Sequence, residues 1–379
     1  GTIGILASGA LLEGFYWGSI FVVSAVISAI TLVMLILLVP STKAEEPVRF
    51  DPVGSVISAV GIGLLVLGII EGPDRGWTDP VTLIGLAGGL LFLVVFVLVE
   101  LRASAPLLDP RLFKHRGFAT GSASLFLQFL AMFAFFFVAL QFLQLVMGYG
   151  TLAAAGALVP MSVVLVVVSA VSGTMSERYG HRLVGGAGLA VSALGFLIFA
   201  LLGTSSGFWP FLLATLVIGA GAALAMSPAT NAIIASLPLD KQGVASAVND
   251  TSRELGAAFG VAILGSAFNI GYRRNIDSHL SGYGPAVVKQ AREAPAIAIQ
   301  LAHRLPNGSV LLEDARNAFV FGMRVSIGLG VVLLLAGASF VWVRGASRVE
   351  QIREDELDED FDLEIDLVPD AALDAVPRA

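Results

Sequence analysis

The chain has 379 residues, of which 56% are hydrophobic and only 13% charged, and its mean hydropathy is +0.86. A soluble globular domain carries about 25% charged residues, so this balance excludes that class and marks an integral membrane protein. The formal net charge of -7 belongs to one segment: residues 350–379 hold 12 of the 29 acids and only Arg353 and Arg378 as bases, leaving 17 acids and 20 bases elsewhere.

A hydrocarbon core of roughly 30 Å needs about 20 apolar residues of helix. Ten segments fit that ruler: residues 1–14 (short), 18–40, 53–71, 81–101, 118–147, 151–173, 183–203, 208–235, 243–268 and 319–343. Each is continuously apolar, whereas barrel strands alternate apolar and polar over about ten residues. The expected fold class is therefore all-α, with ten transmembrane helices. The chain begins at Gly1 inside an apolar stretch, without an initiator Met, a basic leader or a cleavage site, and is expected to be the later part of a longer protein.

Basic residues set the orientation. With the tail inside, the inner loops and the flank of the last span hold Lys43, Arg49, Arg102, Arg111, Lys114, Arg116, Arg178, Arg182, Lys241, Arg344, Arg348 and Arg353, and the short outer loops hold only Arg75. That asymmetry obeys the positive-inside rule and predicts a cytoplasmic C-terminus. Residues 269–318 form a long outer loop in this reading, with one or two amphipathic surface helices in "PAVVKQAREAPAIAIQLAHRL" acting as a cap or a linker. The acidic tail, residues 349–379, is too charged to bury a core and reads as disordered, with docking to a partner as the alternative.

Little supports catalysis. Without cysteine, disulfides, thiol chemistry and thiolate metal sites are excluded. His115, His181, His279 and His303 are scattered, with no metal-ligand spacing and no Gly-rich phosphate loop nearby. No enzyme activity, metal, cofactor or nucleic-acid partner is expected.

Between the sixth and seventh spans lies "GTMSERYGHRLV", residues 173–184. It resembles the cytoplasmic signature G-x-x-x-D-R-x-G-R-K of the major facilitator superfamily: Gly173, Arg178, Gly180 and Arg182 match, while Glu177 replaces Asp and His181 replaces Arg. Glycines allow a sharp turn, and an acid at a helix N-terminus could pair with an arginine as a latch that breaks when two bundles rock. An ordinary basic turn is the bland alternative. Along the membrane part the chain is similar to the fourteen-span drug/proton antiporters, through "ALQFLQLVMGYGTLAAAGALVP" (residues 139–160) and "DPRLFKHRGF" (residues 109–118). The family's G-P-x-x-G-G signature is only partly present, with Gly4, Ile5, Ser8 and Gly9 in its place.

That resemblance implies a domain plan. Residues 1–40 would close an N-terminal bundle, 41–117 would carry two inserted helices with linkers, 118–348 would form a six-helix C-terminal bundle, and 349–379 the tail. It also implies proton-coupled export of amphipathic or cationic small molecules by alternating access, across a bacterial inner membrane. Helices preceding Gly1 would be the missing partners. An exporter of a lipid, siderophore or other metabolite, and a non-transporting scaffold or sensor, remain the alternatives.

The polar residues inside the spans carry the site expectation. A charged side chain at the bilayer centre costs on the order of 2.5 to 3.5 kcal/mol on insertion scales, so it faces a partner or a water-filled cavity. Asp250, Arg253 and Glu254 share one helical stripe by i,i+3 and i,i+4 spacing, beside Asn249. They are candidates for proton and substrate contacts, with a closed ion pair as the structural alternative. Gly256 and Gly260 form a small-xxx-small pair that lets a neighbouring helix approach. Gln141 and Gln144 share a face suited to a ligand or to interhelical bonds; Gln128 is read the same way. Pro160, Pro228 and Asn231 mark possible helix breaks. The phenylalanines of "FAFFF", residues 133–137, are expected to face lipid, and Arg324 to snorkel.

Overall fold

The computed structural model describes residues 2–39, 51–103, 106–238, 241–306 and 308–345. Every regular element among them is helical. Nine helices are long and apolar enough to cross a membrane: α2 (Ser19–Leu38), α3 (Pro52–Arg75), α4 (Pro80–Glu100), α5 (Arg116–Val146), α6 (Thr151–Tyr179), α7 (His181–Ala200), α8 (Phe208–Ala235), α9 (Gln242–Ile276, continued by a tighter turn) and α12 (Gly308–Arg344). The shorter α1 (Thr2–Gly14) precedes them, as the sequence leads one to expect of residues 1–14.

Three Asp-Pro pairs start elements by the same device. Asp51 accepts from the Val53 and Gly54 amides at the head of α3, Asp79 from Val81 at the head of α4, and Asp109 from Arg111 in the 3₁₀ turn before α5. The proline that follows lacks the amide that would go unpaired in the first turn. Between α6 and α7 the chain turns at one residue, Gly180, with φ +83°. Inside α6, Leu158 interrupts the helix just before Pro160. Pro228, by contrast, is buried in an unbroken α8.

Helices α5 to α9 and α12 pack together around one core. Lipid is as apolar as a leucine side chain, so helices gain little by hiding apolar surface from it, and close backbone approach decides their packing. Glycines supply that approach at each major interface. A Cβ on Gly188 of α7 would lie 2.6 Å from a backbone carbon of α8, and one on Gly195 would lie 2.6 Å from the Ile218 amide nitrogen. A Cβ on Gly121 of α5 would lie 2.7 Å from the Ala229 carbonyl of α8, and one on Gly322 of α12 would lie 2.7 Å from the Phe268 carbonyl of α9. Gly256 and Gly260 of α9 press on the Phe126 and Leu130 carbonyls of α5, as their spacing predicts. Phenylalanines fill the remaining core, with Phe135 and Phe199 edge-on at 5.1 Å and Phe142, Phe196, Phe211 and Phe319 fully buried nearby. This corrects the lipid-facing expectation for "FAFFF": Phe135 is in the core, and only Phe133 and Phe137 are exposed.

α3 and α4 form a hairpin packed through Gly68 and Gly85, where α4 loosens into a π turn at Ile84–Gly88. The hairpin is fastened to α9: the Ser266 hydroxyl donates to the Ile69 carbonyl (3.0 Å), and Arg273 donates to the Pro73 carbonyl and pairs with Asp74. α1 rests on the first turns of α6, with Gly9 against Ala155, and α2 buries only Ser19.

The long outer loop needs correcting. α9 runs on to Ile276 and α12 starts at Gly308, so the connection is residues 277–307 rather than 269–318. At 35 and 37 residues, these helices extend about 50 Å, well beyond a 30 Å core. The connection holds two short helices, α10 (Pro285–Glu293) and α11 (Pro295–Ala302). They are tied down by the Tyr272 hydroxyl donating to the Ala291 carbonyl (2.7 Å) and by the Arg292–Asp277 pair (2.9 Å). The acidic tail lies outside the described residues, as do Lys43, Arg49, Arg348 and Arg353.

Three substitutions check this packing and the turn at Gly180. Gly188→Val places methyls against the α8 backbone and should destabilise the purified protein by about 1–3 kcal/mol or more, whereas Gly156→Ala, with nothing within 4 Å, should leave thermal unfolding in detergent unchanged or raised. Gly180→Ala forces a Cβ into left-handed backbone and should cost about 1–2 kcal/mol in the same assay.

Candidate functional site

The polar stripe of α9 enters the structure split in two. Asp250 and Glu254 are exposed, Arg253 is half-buried, and Asn249 is 8% exposed. No ion pair joins these residues among the described ones, so the closed pair weighed as the structural alternative is not formed. Arg253 instead turns toward α8 and α5: its Nη2 donates to the Thr230 hydroxyl at 3.1 Å, and its guanidinium lies 5.5 Å from the Phe129 ring centroid. A guanidinium over an aromatic face is attracted by the ring quadrupole, more strongly where water is excluded.

Thr230 is the residue that sequence reasoning missed. Its hydroxyl also donates to Asn249 Oδ1 at 3.0 Å, and Asn249 Nδ2 reaches Asp250 Oδ1 at 3.4 Å. The directions are forced, because an arginine only donates and an amide oxygen only accepts. Its position two residues after Pro228 was the signal available in the sequence.

The glutamines do not join this cluster. Gly256 and Gly260 sit level with Phe126 and Leu130, so Gln141 is level with a point on α9 roughly 30 Å from Asp250 at 1.5 Å per residue. Gln141 donates back to the Phe137 carbonyl of its own helix (3.2 Å), and Gln144 is exposed in the π turn that ends α5. Neither bonds across helices among the described residues. Gln128 does so: buried, it accepts from the Ser192 hydroxyl of α7 at 3.0 Å. Asn231 is exposed on α8 next to Thr230.

The turn motif also differs from its expectation. Glu177 lies in the last turn of α6 rather than at a helix N-terminus, is exposed, and has no ion pair among the described residues. Arg178 lies over the Tyr179 ring at 5.4 Å, and Arg182 is exposed with its stem against Gly345. Gly173 has open space around it, while Gly180 is the residue whose backbone demands glycine.

Two further arginines bind helix ends at the opposite end of the bundle. Arg316 of α12 donates to the Leu145 carbonyl (3.2 Å) in the π turn closing α5, and Arg324 donates to the Leu202 carbonyl (3.3 Å) just beyond α7. Both place a cation where helix carbonyls point outward, and Arg324 is exposed as well as bonded. A recess of about 480 Å³ lies beside α10 between Tyr283, Val288 and Arg292, away from the α9 stripe. Among the described residues no group of three or more histidines and acids could hold a metal ion.

The helices and the stripe bear comparison with known proteins. Multidrug efflux pump LfrA of Mycolicibacterium smegmatis is 32% identical over 344 residues, covering 90% of this chain and 68% of the pump. Methyl viologen resistance protein SmvA of Salmonella typhimurium is 30% identical over 346 residues, covering 90% of this chain and 69% of that protein. Cephamycin export protein CmcT of Amycolatopsis lactamdurans is 32% identical over 305 residues, covering 79% of this chain and 63% of that protein. The chain thus spans about two thirds of the length of these relatives. The family model described as Major Facilitator Superfamily matches residues 1–261, from α1 into the glycine-packed half of α9 that bears Asn249, Asp250, Arg253 and Glu254. On that match and these identities, the chain is a multi-pass membrane protein belonging to the Major Facilitator Superfamily.

Proposed function

We propose that the chain supplies the last ten helices of a proton-coupled exporter of amphipathic or cationic small molecules, a multidrug-type antiporter that works by alternating access and not an enzyme. In this reading residues 1–40 close the N-terminal bundle, 41–117 carry the inserted hairpin and its linkers, 118–348 are the C-terminal bundle, and 349–379 are the cytoplasmic tail. Helices preceding Gly1 form the other wall of the cavity. The basic residues at the ends of α4, α6 and α12 and the starts of α5, α7 and α9 fit a cytoplasmic C-terminus in a bacterial inner membrane. Glu177, Arg178 and Arg182 then face the cytoplasm at a turn that only Gly180 permits.

The observation that carries this reading is the exposure of Asp250 and Glu254 on a membrane-spanning helix while Arg253 beside them is occupied elsewhere. Uncompensated carboxylates in a span are too costly to face lipid, so they border water, a proton or a cationic cargo. Support also comes from the two relatives whose names state multidrug efflux and methyl viologen resistance. The relative named for cephamycin export favours a second reading, export of a secreted metabolite through the same cavity.

The test is uptake into everted vesicles bearing the full-length protein, with an imposed proton gradient and ethidium as cargo. Gradient-driven flux should persist when residues 349–379 are deleted, which a scaffold signalling through its tail would not produce. Asp250→Asn and Glu254→Gln, expressed at normal levels, should each lower that flux about tenfold, the equivalent of roughly 1.4 kcal/mol. Flux independent of the gradient, or unaffected by both substitutions, contradicts the proposal.

A further inference from the structure

Arg253 stands one position before Glu254 and three after Asp250, within reach of Asp250 by the spacing that commonly pairs opposite charges on a helix. It makes neither pair. Its Nη2 is held by Thr230 at 3.1 Å and its plane by Phe129 at 5.5 Å, while its Nε is buried without a partner among the described residues. Thr230 is itself committed, because its hydrogen goes to Asn249 Oδ1 at 3.0 Å and leaves its lone pairs for the guanidinium. Asp250 receives only the neutral Asn249 amide, at 3.4 Å. α8 carries no titratable residue along its length, and α5 carries only Arg116 at its first position. Where Arg253 sits therefore decides how much of the acids' charge is cancelled from within the span.

We infer that Thr230 and Phe129 form a restraint that holds Arg253 off Asp250 and Glu254, keeping both carboxylates available to a cationic cargo. Thr230 is thus a positioning residue for charge selectivity, acting through Arg253. A valine of the same shape releases the guanidinium, which then neutralises the acids and lowers affinity for cations. The inference rests on the reading of Asp250 and Glu254 as cargo contacts.

The experiment compares full-length wild type, Thr230→Val and Thr230→Ser in proteoliposomes, using ethidium and an uncharged dye of similar size. Thr230→Val should raise KM for ethidium about tenfold with kcat unchanged, leave the neutral dye unaffected, and be rescued by Thr230→Ser. In an Arg253→Gln background, Thr230→Val should have no further effect, since no guanidinium remains to release. Equal losses for both dyes, or a Thr230→Val effect that persists without Arg253, overturn the restraint. A structure of the Thr230→Val protein decides independently of transport: Arg253 paired with Asp250 or Glu254 supports it, and Arg253 still against Phe129 refutes it. If wild type carries neither dye under a gradient, the exporter reading fails by itself, and that structure alone decides the restraint.

Discussion

Backbone contact at glycine is what the rest of this molecule depends on. Inside a bilayer, apolar side chains gain almost nothing by leaving lipid for protein, so association must come from dispersion at close range and from satisfied polar groups. Here the carbonyls of α5 nest on Gly256 and Gly260 of α9, and Gly121, Gly188, Gly195 and Gly322 do the same elsewhere. These contacts fix not only which helices touch but at what height. The level of α9 on α5 puts Arg253 beside Phe129, and the level of α8 brings Thr230 to both. The polar network of Arg253, Thr230, Asn249 and Asp250 is therefore positioned by residues that have no side chain at all.

The arginines of the spans show how a chain tolerates cations in such surroundings. Arg253 is answered by a hydroxyl and an aromatic ring, Arg316 and Arg324 by carbonyls at helix ends, and Arg273 by Asp74 together with the Pro73 carbonyl. Three of the four use neutral partners. Such pairing spares the acids, and the contrast between braced cations and exposed carboxylates gives α9 its electrical asymmetry.

Much of this was legible in the sequence, and the reasons differ by element. The spans could be read because twenty apolar residues in a row have one stable form in lipid, and the glycine pair in α9 because four-residue spacing fixes a face. Helix ends beyond the membrane could not be read by hydropathy: α9 and α12 continue as helices through "NIGYRRNI" and "GSVLLEDARN", where polar residues end the apolar signal but not the hydrogen bonding. The Asp-Pro pairs at 51, 79 and 109 held the helix starts in plain view. Charge pairing could not be decided from one helix, since spacing along it says which residues can meet and nothing about competitors on the next. Thr230 and Phe129, 19 residues before and 120 before Asn249, won that competition.

Among the described residues, the hairpin of α3 and α4 is hydrogen-bonded to α9 near one end only, through Ile69, Pro73 and Asp74. A beam anchored at a single end swings with its support. Any tilt of α9 would therefore pull the hairpin from that end, and the lipid around two further helices would have to yield to it.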